Sequence, residues 1–244
     1  MANIQTVQRG WIGFDRHFPE NDPIIDEIVT EFLEDFKPHY RIAGGDFMNV
    51  DQASNFKSES ESKLSDEFEQ TEAILDKWKI THFFEGNHEQ RLRRIGGQVD
   101  KRIRDLLDLQ RNLHLKQRGI QFIPYHPERG VLQIGLLKIL HGFYTTEWVC
   151  RKMAETYGTC VFGHAHRFQI FQPASAFETR VGFSIGMLGN THQSYIESRA
   201  PTGWSQGFAF FYLHRNGWWD LYPVRINNGR VCINGKIYGA GKKS

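Results

Sequence analysis

Two spacings of apolar residues divide this chain. Ile24, Ile25, Ile28, Val29, Phe32, Leu33 and Phe36 fall three and four apart with acidic residues between them, which predicts an amphipathic helix. Asp22 can cap it, and Pro23 suits its first turn. Leu64, Phe68, Thr71, Leu75 and Trp78 repeat the pattern, predicting a second helix from about Ser62 to Trp78. A third is expected over Thr145–Tyr157, with a threonine cap and Gly158 to end it. Shorter apolar runs bounded by turn residues predict strands at Trp11–Phe14, Tyr40–Ala43, Ile80–Phe84, Ile120–Tyr125, Val131–Ile134 and Leu137–Leu140. Further strands are expected at Cys160–Phe162, Val181–Ile185, Phe208–Leu213, Trp219–Val224 and Val231–Ile233. The polar, serine-rich stretch from Asp51 to Glu61 reads as an exposed loop, and the tail from Gly239 to Ser244 as loose. Strand, loop and helix alternate at first and strands dominate later. The fold class expected is therefore α/β: two facing β-sheets with helices outside, in a single domain over 1–244 with a β-rich C-terminal part at 180–238.

Where predicted strands give way to loops, five blocks carry chemistry. They are Asp15-Arg16-His17, Gly44-Gly45-Asp46, Gly86-Asn87-His88-Glu89, His141-Gly142 and Gly163-His164-Ala165-His166. Residues i and i+2 of an extended backbone face one side, so Asp15 with His17, and His164 with His166, are each expected to aim two donors at one point. All the donors are oxygen or imidazole. A phosphate ester resists attack because its anionic oxygens repel a nucleophile, and two divalent ions roughly 3.5–4 Å apart clamp those oxygens and acidify a bound water. The donor count fits such a pair: Asp46 bridging, Asp15, His17 and His166 completing one site, and Asn87, His141 and His164 the other. Two carboxylates and one hydroxide leave two dications with about one surplus positive charge, which favours an anionic substrate. The catalytic roles expected fall to Asp46 and to His88, whose imidazole suits stabilising or protonating a departing oxygen.

The ordered blocks resemble the calcineurin-like metallophosphoesterase superfamily, whose pattern runs D-x-H, G-D, G-N-H-D/E, H and G-H-x-H. The match covers Asp15 to His166. This resemblance implies a four-layer sandwich of two mixed β-sheets flanked by α-helices, a bridging aspartate, and hydrolysis of phosphomonoesters or phosphodiesters. It also implies two divalent ions, Mn foremost, with Fe, Zn or Ni as alternatives. The chain looks most like the small stand-alone members of bacteria and phages. It departs from the serine/threonine protein phosphatases, because Asp46 leads into Phe47-Met48-Asn49-Val50-Asp51 without their Asp-Arg-Gly, and Phe18 rather than glycine follows His17. The carboxylate that would orient His88 stays open, with Asp51 as the candidate.

Composition changes this picture little. At 244 residues, 40% hydrophobic, 24% charged and a net charge of +2, wholesale disorder and a polybasic character are both excluded. The one local departure is 89–118, with nine basic against four acidic residues. There Arg91, Arg93, Arg94, Lys101, Arg102 and Arg104 could follow a nucleic-acid backbone, the plainer reading being a solvated helix face. Arg91, Asn87 and His192, in the loop Gly189-Asn190-Thr191-His192, are candidate substrate contacts. Trp204, Phe208, Phe210, Phe211, Trp218 and Trp219 could stack on bases, core packing being the plainer reading. His39, His82, His114, His126 and His214 read as ordinary hydrogen-bonded histidines. Cys150, Cys160 and Cys232 form no CxxC pair and are read as reduced, and no segment has the length or apolarity of a leader or a membrane span. A cytoplasmic protein with no membrane partner is expected. Its expected function is hydrolysis of nucleotide or nucleic-acid phosphodiesters by a hydroxide bridging two metal ions. The alternatives are a phosphomonoesterase acting on phosphoprotein or small metabolites, and an inactive nucleic-acid-binding protein.

Overall fold

The computed structural model describes residues 7–53, 62–174, 178–193 and 202–239. Its strands form two mixed sheets. In the first, β1 (Gln8–Gly13), β2 (Tyr40–Ala43), β3 (His82–Phe84) and β4 (Gln121–Ile123) run parallel. Beside β1, β10 (Gln206–Leu213) and β11 (Trp219–Ile226) extend this sheet antiparallel, giving the order β11-β10-β1-β2-β3-β4. The second sheet has the order β5 (Leu132–Ile134), β6 (Leu137–Ile139), β7 (Cys160–Phe162), β9 (Gly182–Ile185) and β8 (Phe168–Phe171). Within it β6, β7 and β9 are parallel. A short ribbon of β12 (Val231–Ile233) and β13 (Lys236–Tyr238) brings Tyr238 edge-on to Phe32.

Successive strand residues face opposite sides, so the same strands feed separate cores. Trp11, Ala43, Phe83 and Phe208 face α1 (Pro23–Phe36) and α2 (Leu64–Lys77), where they meet Ile25, Phe32, Leu75 and Trp78. Their neighbours Ile12, Ile42, Phe84 and Ala209 face the second sheet and meet Leu137, Ile139, Val161 and Ile185. Beyond that sheet, Leu140, Cys160 and Phe162 pack on Val149, Cys150 and Met153 of α6 (Val149–Tyr157). Three cores stacked between helix, sheet, sheet and helix make the four layers that the resemblance implies.

The main helices form for the reasons their sequences give. Asp22 accepts a hydrogen bond from Ile24 N at 3.0 Å, and Lys37 in left-handed conformation closes α1 with its N–H on the Leu33 carbonyl. The third helix starts at Val149, four residues later than expected. Phe143 and Tyr144 pack into the third core, so the chain uses 145–148 to turn before the helix begins, and Trp148 caps it without a side-chain bond. Two strands escape sequence patterning: β8 is a half-exposed edge strand and β13 is only three residues long, so neither shows apolar alternation. The basic segment folds into three short helices, α3 (Gln90–Gly96), α4 (Lys101–Arg104) and α5 (Leu109–Asn112). Asp51–Ala53 form a single 3-10 turn. The serine-rich loop beyond it and the tail past residue 239 lie outside the described residues. Among the described residues no helix is long and apolar enough to cross a membrane.

Trp78 ties the first core together. It is fully buried, meets Trp11 edge-on at 5.6 Å and donates from its indole N–H to Thr30 Oγ1 at 3.0 Å. Trp78→Ala is expected to cost about 3–5 kcal/mol of stability in urea denaturation. A loss under about 1 kcal/mol would mean that α2 does not depend on this packing.

Candidate metal centre

Parallel strands deliver the motif blocks to one rim of the two sheets. Asp15 follows β1, Asp46 follows β2, Asn87 and His88 follow β3, His141 follows β6, and His164 and His166 follow β7. The loops after β1 and β2 continue the ladder beyond the strands, through Asp15 N to Gly45 O, His17 N to Asp46 O and Phe18 N to Phe47 O, each at 3.0 Å. The expected extended backbone at the paired donors is not what converges them. Asp15, His17, Asp46, His164 and His166 all hold left-handed φ values of 51° to 61°. Non-glycine residues adopt that region at a cost, so the surrounding contacts must enforce it.

Each aspartate has one oxygen fixed and the other aimed inward. Asp15 Oδ2 accepts from His164 N at 2.8 Å, and Asp46 Oδ1 accepts from His88 N at 2.8 Å. Those two oxygens explain two motif glycines: a Cβ on Gly86 would lie 2.1 Å from Asp46 Oδ1, and one on Gly163 would lie 2.5 Å from Asp15 Oδ2. The inward Asp46 Oδ2 stands 3.3 Å from His141 Nε2 and 3.9 Å from His88 Nε2. The inward Asp15 Oδ1 is buried without a hydrogen-bond partner among the described residues, 3.6 Å from His166 Nε2.

The imidazoles are oriented from behind. His141 Nδ1 lies 2.9 Å from the Gly44 carbonyl, His17 Nδ1 2.8 Å from Asn49 Oδ1, and His88 Nδ1 2.9 Å from the Asn49 carbonyl. Each acceptor takes the Nδ1 proton and so leaves an Nε2 lone pair facing the cluster. Asn87 Oδ1 approaches His141 Nε2 at 3.2 Å. Three groups of donors have mutual spacings that could hold a cation: Asp15, His17 and His166; Asp46, His141 and His164; and His17, Asp46 and His88. All seven expected ligands thus meet at one place, with Asp46 between the two sides and His88 close enough to count as a donor itself.

The donor set fits a cation by its own chemistry. His17 Nε2 and His166 Nε2 face each other at 3.0 Å beside the unpartnered Asp15 oxygen, an arrangement that needs a proton or a cation to hold it. Burial pushes His17 and His164 down to about 4 and His88 down to about 3, so all three are neutral near pH 7, the form that binds metal. For His141, burial opposes protonation, but the Asp46 and Asp15 carboxylates outweigh it and raise the group to about 9. Burial likewise opposes charge on Asp46, and His141 and His88 outweigh it, leaving the carboxyl well below the usual range.

Several supporting residues carry little sequence signal. Glu89, fully buried, accepts four backbone N–H bonds: Phe47 and Met48 on Oε1 at 2.7 and 3.1 Å, Asp46 and Gly86 on Oε2 at 3.0 and 2.9 Å. Burial and the neighbouring Asp46 charge push its carboxyl upward, and the N–H donors oppose that shift. Glu67, on α2, accepts from Val50 N at 2.8 Å. Buried Arg16 grips Asp26 of α1 with two bonds of 3.0 and 2.8 Å, which anchors the Asp15–His17 loop. Asp51 does not orient His88. The Asn49 carbonyl does so, because Asp51 has turned to the Asn49 side-chain amide at 3.5 Å.

Other candidates lie outside the cluster. Arg91 donates to the Asn49 carbonyl at 2.8 Å, beside His88, whereas His192 is exposed and bonds its neighbour Thr191. Arg93 pairs with Glu85, Arg94 with the Ala53 carbonyl, Arg102 with Asp100 and Arg104 with the Gly96 carbonyl. The basic segment is thus largely engaged within the chain. Trp204 sets its ring 4.5 Å from that of His166, while Phe208 and Phe211 are core residues and Trp218 is exposed. Cys150 and Cys160 are free and buried. A cavity of about 390 Å³ opens behind Glu89, between α3 and Phe122, rather than over the donors.

No family model matches the chain, and no curated protein matches it. Among solved structures it is similar to vacuolar protein sorting 29 from Cryptosporidium parvum, at 15% identity over 91% of this chain and 99% of that one, with a TM-score of 0.47. It is also similar to Yfce, a phosphoesterase from E. coli, at 12% identity over 88% and 99% of the two chains, with a TM-score of 0.41. A 5'-nucleotidase precursor from Thermus thermophilus is similar at 8% identity over 88% of this chain and 54% of that one, with a TM-score of 0.39. The resemblance to calcineurin-like metallophosphoesterases is carried by the five blocks and by the way the fold gathers their donors.

Glu89→Gln would turn an amide NH₂ toward backbone N–H groups in place of an acceptor. The variant is expected to lose about 1–3 kcal/mol in thermal denaturation and to bind manganese more weakly by titration. Unchanged stability and metal uptake would show that the loops hold their positions without this carboxylate.

Proposed function

We propose that this chain is a metal-dependent phosphoesterase with two cation sites sharing Asp46, and that it cleaves phosphodiesters of nucleotide or nucleic-acid type. The observation that carries the proposal is the placement of Asp46 within cation-holding distance of His17 on one side and of His141 and His164 on the other. Two divalent ions held there would clamp phosphoryl oxygens and supply an acidified water, with Mn the first candidate. Asp15, His17 and His166 would hold one ion, and Asn87, His141 and His164 the other. His88 would serve the departing oxygen. Its Nδ1 is committed to the Asn49 carbonyl, so Nε2 is the reactive atom, and an anionic ester beside it would raise its low proton affinity. Arg91, bonded to the same carbonyl, sits where its remaining donors could meet the ester. Trp204 beside His166 favours an ester that carries a base. The binding-only alternative draws little from the basic segment, whose arginines are engaged internally.

Elemental analysis of the purified protein is expected to find bound divalent metal, and manganese should stimulate hydrolysis of bis-p-nitrophenyl phosphate above that of p-nitrophenyl phosphate. Preference for the monoester would overturn the diesterase assignment, and absence of both metal and hydrolysis would overturn the enzyme assignment. Asp46→Asn is expected to abolish turnover and lower metal content. His88→Ala should keep the metal and slow turnover by about 10²–10⁴-fold, the range typical of losing an acid–base group. Equal metal loss in the two variants would contradict their separate roles.

A further inference from the structure

Of the four parallel strands of the first sheet, β1, β2 and β3 each end in a metal-donor block, whereas β4 ends in Pro124 and Tyr125. Tyr125 is firmly held at that rim. Its N–H donates to Glu85 Oε2 at 2.9 Å, and Arg93 pairs with the same oxygen at 3.1 Å. Its ring meets the His141 ring at 5.7 Å with the planes at 70°, and Phe143 packs on it at 4.8 Å. The residue is half-buried, yet its hydroxyl has no hydrogen-bond partner among the described residues and is not sealed from solvent. Packing against His141 needs only the ring, so a phenylalanine such as Phe143 would serve. The hydroxyl therefore remains to be explained.

We propose that Tyr125 contacts the substrate, its hydroxyl donating a hydrogen bond to a phosphoryl oxygen at the His141 side of the donor cluster. The proposal rests on the phosphoesterase reading above and names a residue that none of the motif blocks contains. A phenol suits the position because it offers one directional donor without adding charge, so it orients an anionic ester that the cations already attract. An oxygen bound equally before and during reaction contributes to affinity rather than to the chemical step, and the loss should appear in KM.

The test uses Tyr125→Phe, which keeps the ring and its packing, in manganese-loaded protein. Metal content, binding of inorganic phosphate by calorimetry, and turnover of bis-p-nitrophenyl phosphate would be measured together. Wild-type metal content with phosphate binding weakened about tenfold, and KM raised in step while kcat holds, is the expected result. Unchanged phosphate affinity and KM would overturn the assignment, as would loss of metal, since Tyr125 would then merely support His141. A wild-type protein that takes up no metal overturns the phosphoesterase reading, and this assignment with it. Full metal uptake with an unaffected variant overturns the Tyr125 assignment alone.

Discussion

The buried carboxyl group of Glu89 ties together two loops that carry the donors. Its four N–H bonds come from Asp46, Phe47 and Met48 on one loop and from Gly86 on the other. Those loops follow β2 and β3, so one carboxyl group joins the turn carrying Asp46 to the turn carrying Asn87 and His88. Glu67 holds Val50 further along the first loop, and Asn49 between them supplies acceptors to both His17 and His88. The electrostatic cost is real, because two carboxylates lie close together in a place with little water. Facing imidazoles outweigh that cost for Asp46, whereas for Glu89 the backbone dipoles only reduce it and the carboxyl is still pushed up to about 8.

The same logic accounts for the strain at the rim. Five donor residues sit in left-handed conformations, and two glycines stand where any Cβ would collide with a carboxylate oxygen. Such features are sustained only where the scaffold over-determines them. Here the scaffold is a ladder of backbone bonds between the β1 and β2 loops, braced by the Arg16 grip on α1. The donors are thus positioned by the polypeptide itself, and Asp15 Oδ1 faces inward with no hydrogen-bond partner among the described residues.

Much of this was legible in the sequence, for identifiable reasons. Apolar periodicity located α1 because one face of it is buried, and short apolar runs located most strands because the central ones are covered on both faces; β2 and β7 match the expected ranges. The seven expected donors are brought together because the blocks carry side chains whose chemistry is distinctive. The i, i+2 argument holds for Asp15 and His17, which share a donor group, and fails for His164 and His166, which fall in different groups; the donors converge by left-handed turns, which leave no periodic trace in a sequence. Glu89 stood in plain view within its block, but a buried acid and a surface acid read alike until its four donors are in place. Tyr125 was concealed for a similar reason. The sequence reads it as the end of a strand, and only the meeting of β4 of the first sheet with the loop after β6 of the second sets its ring beside His141.

His17 and His166 stand 149 residues apart in the chain and come from different sheets. An ion bound between them would recognise only the folded pairing of those sheets and nothing in the unfolded polypeptide. At a free concentration a hundredfold above its dissociation constant, such an ion would add about 2.7 kcal/mol to the folded state. Cellular supply of the cation would then govern how long the protein survives proteolysis as well as how fast it works, and a chelator would act on it as a mild denaturant.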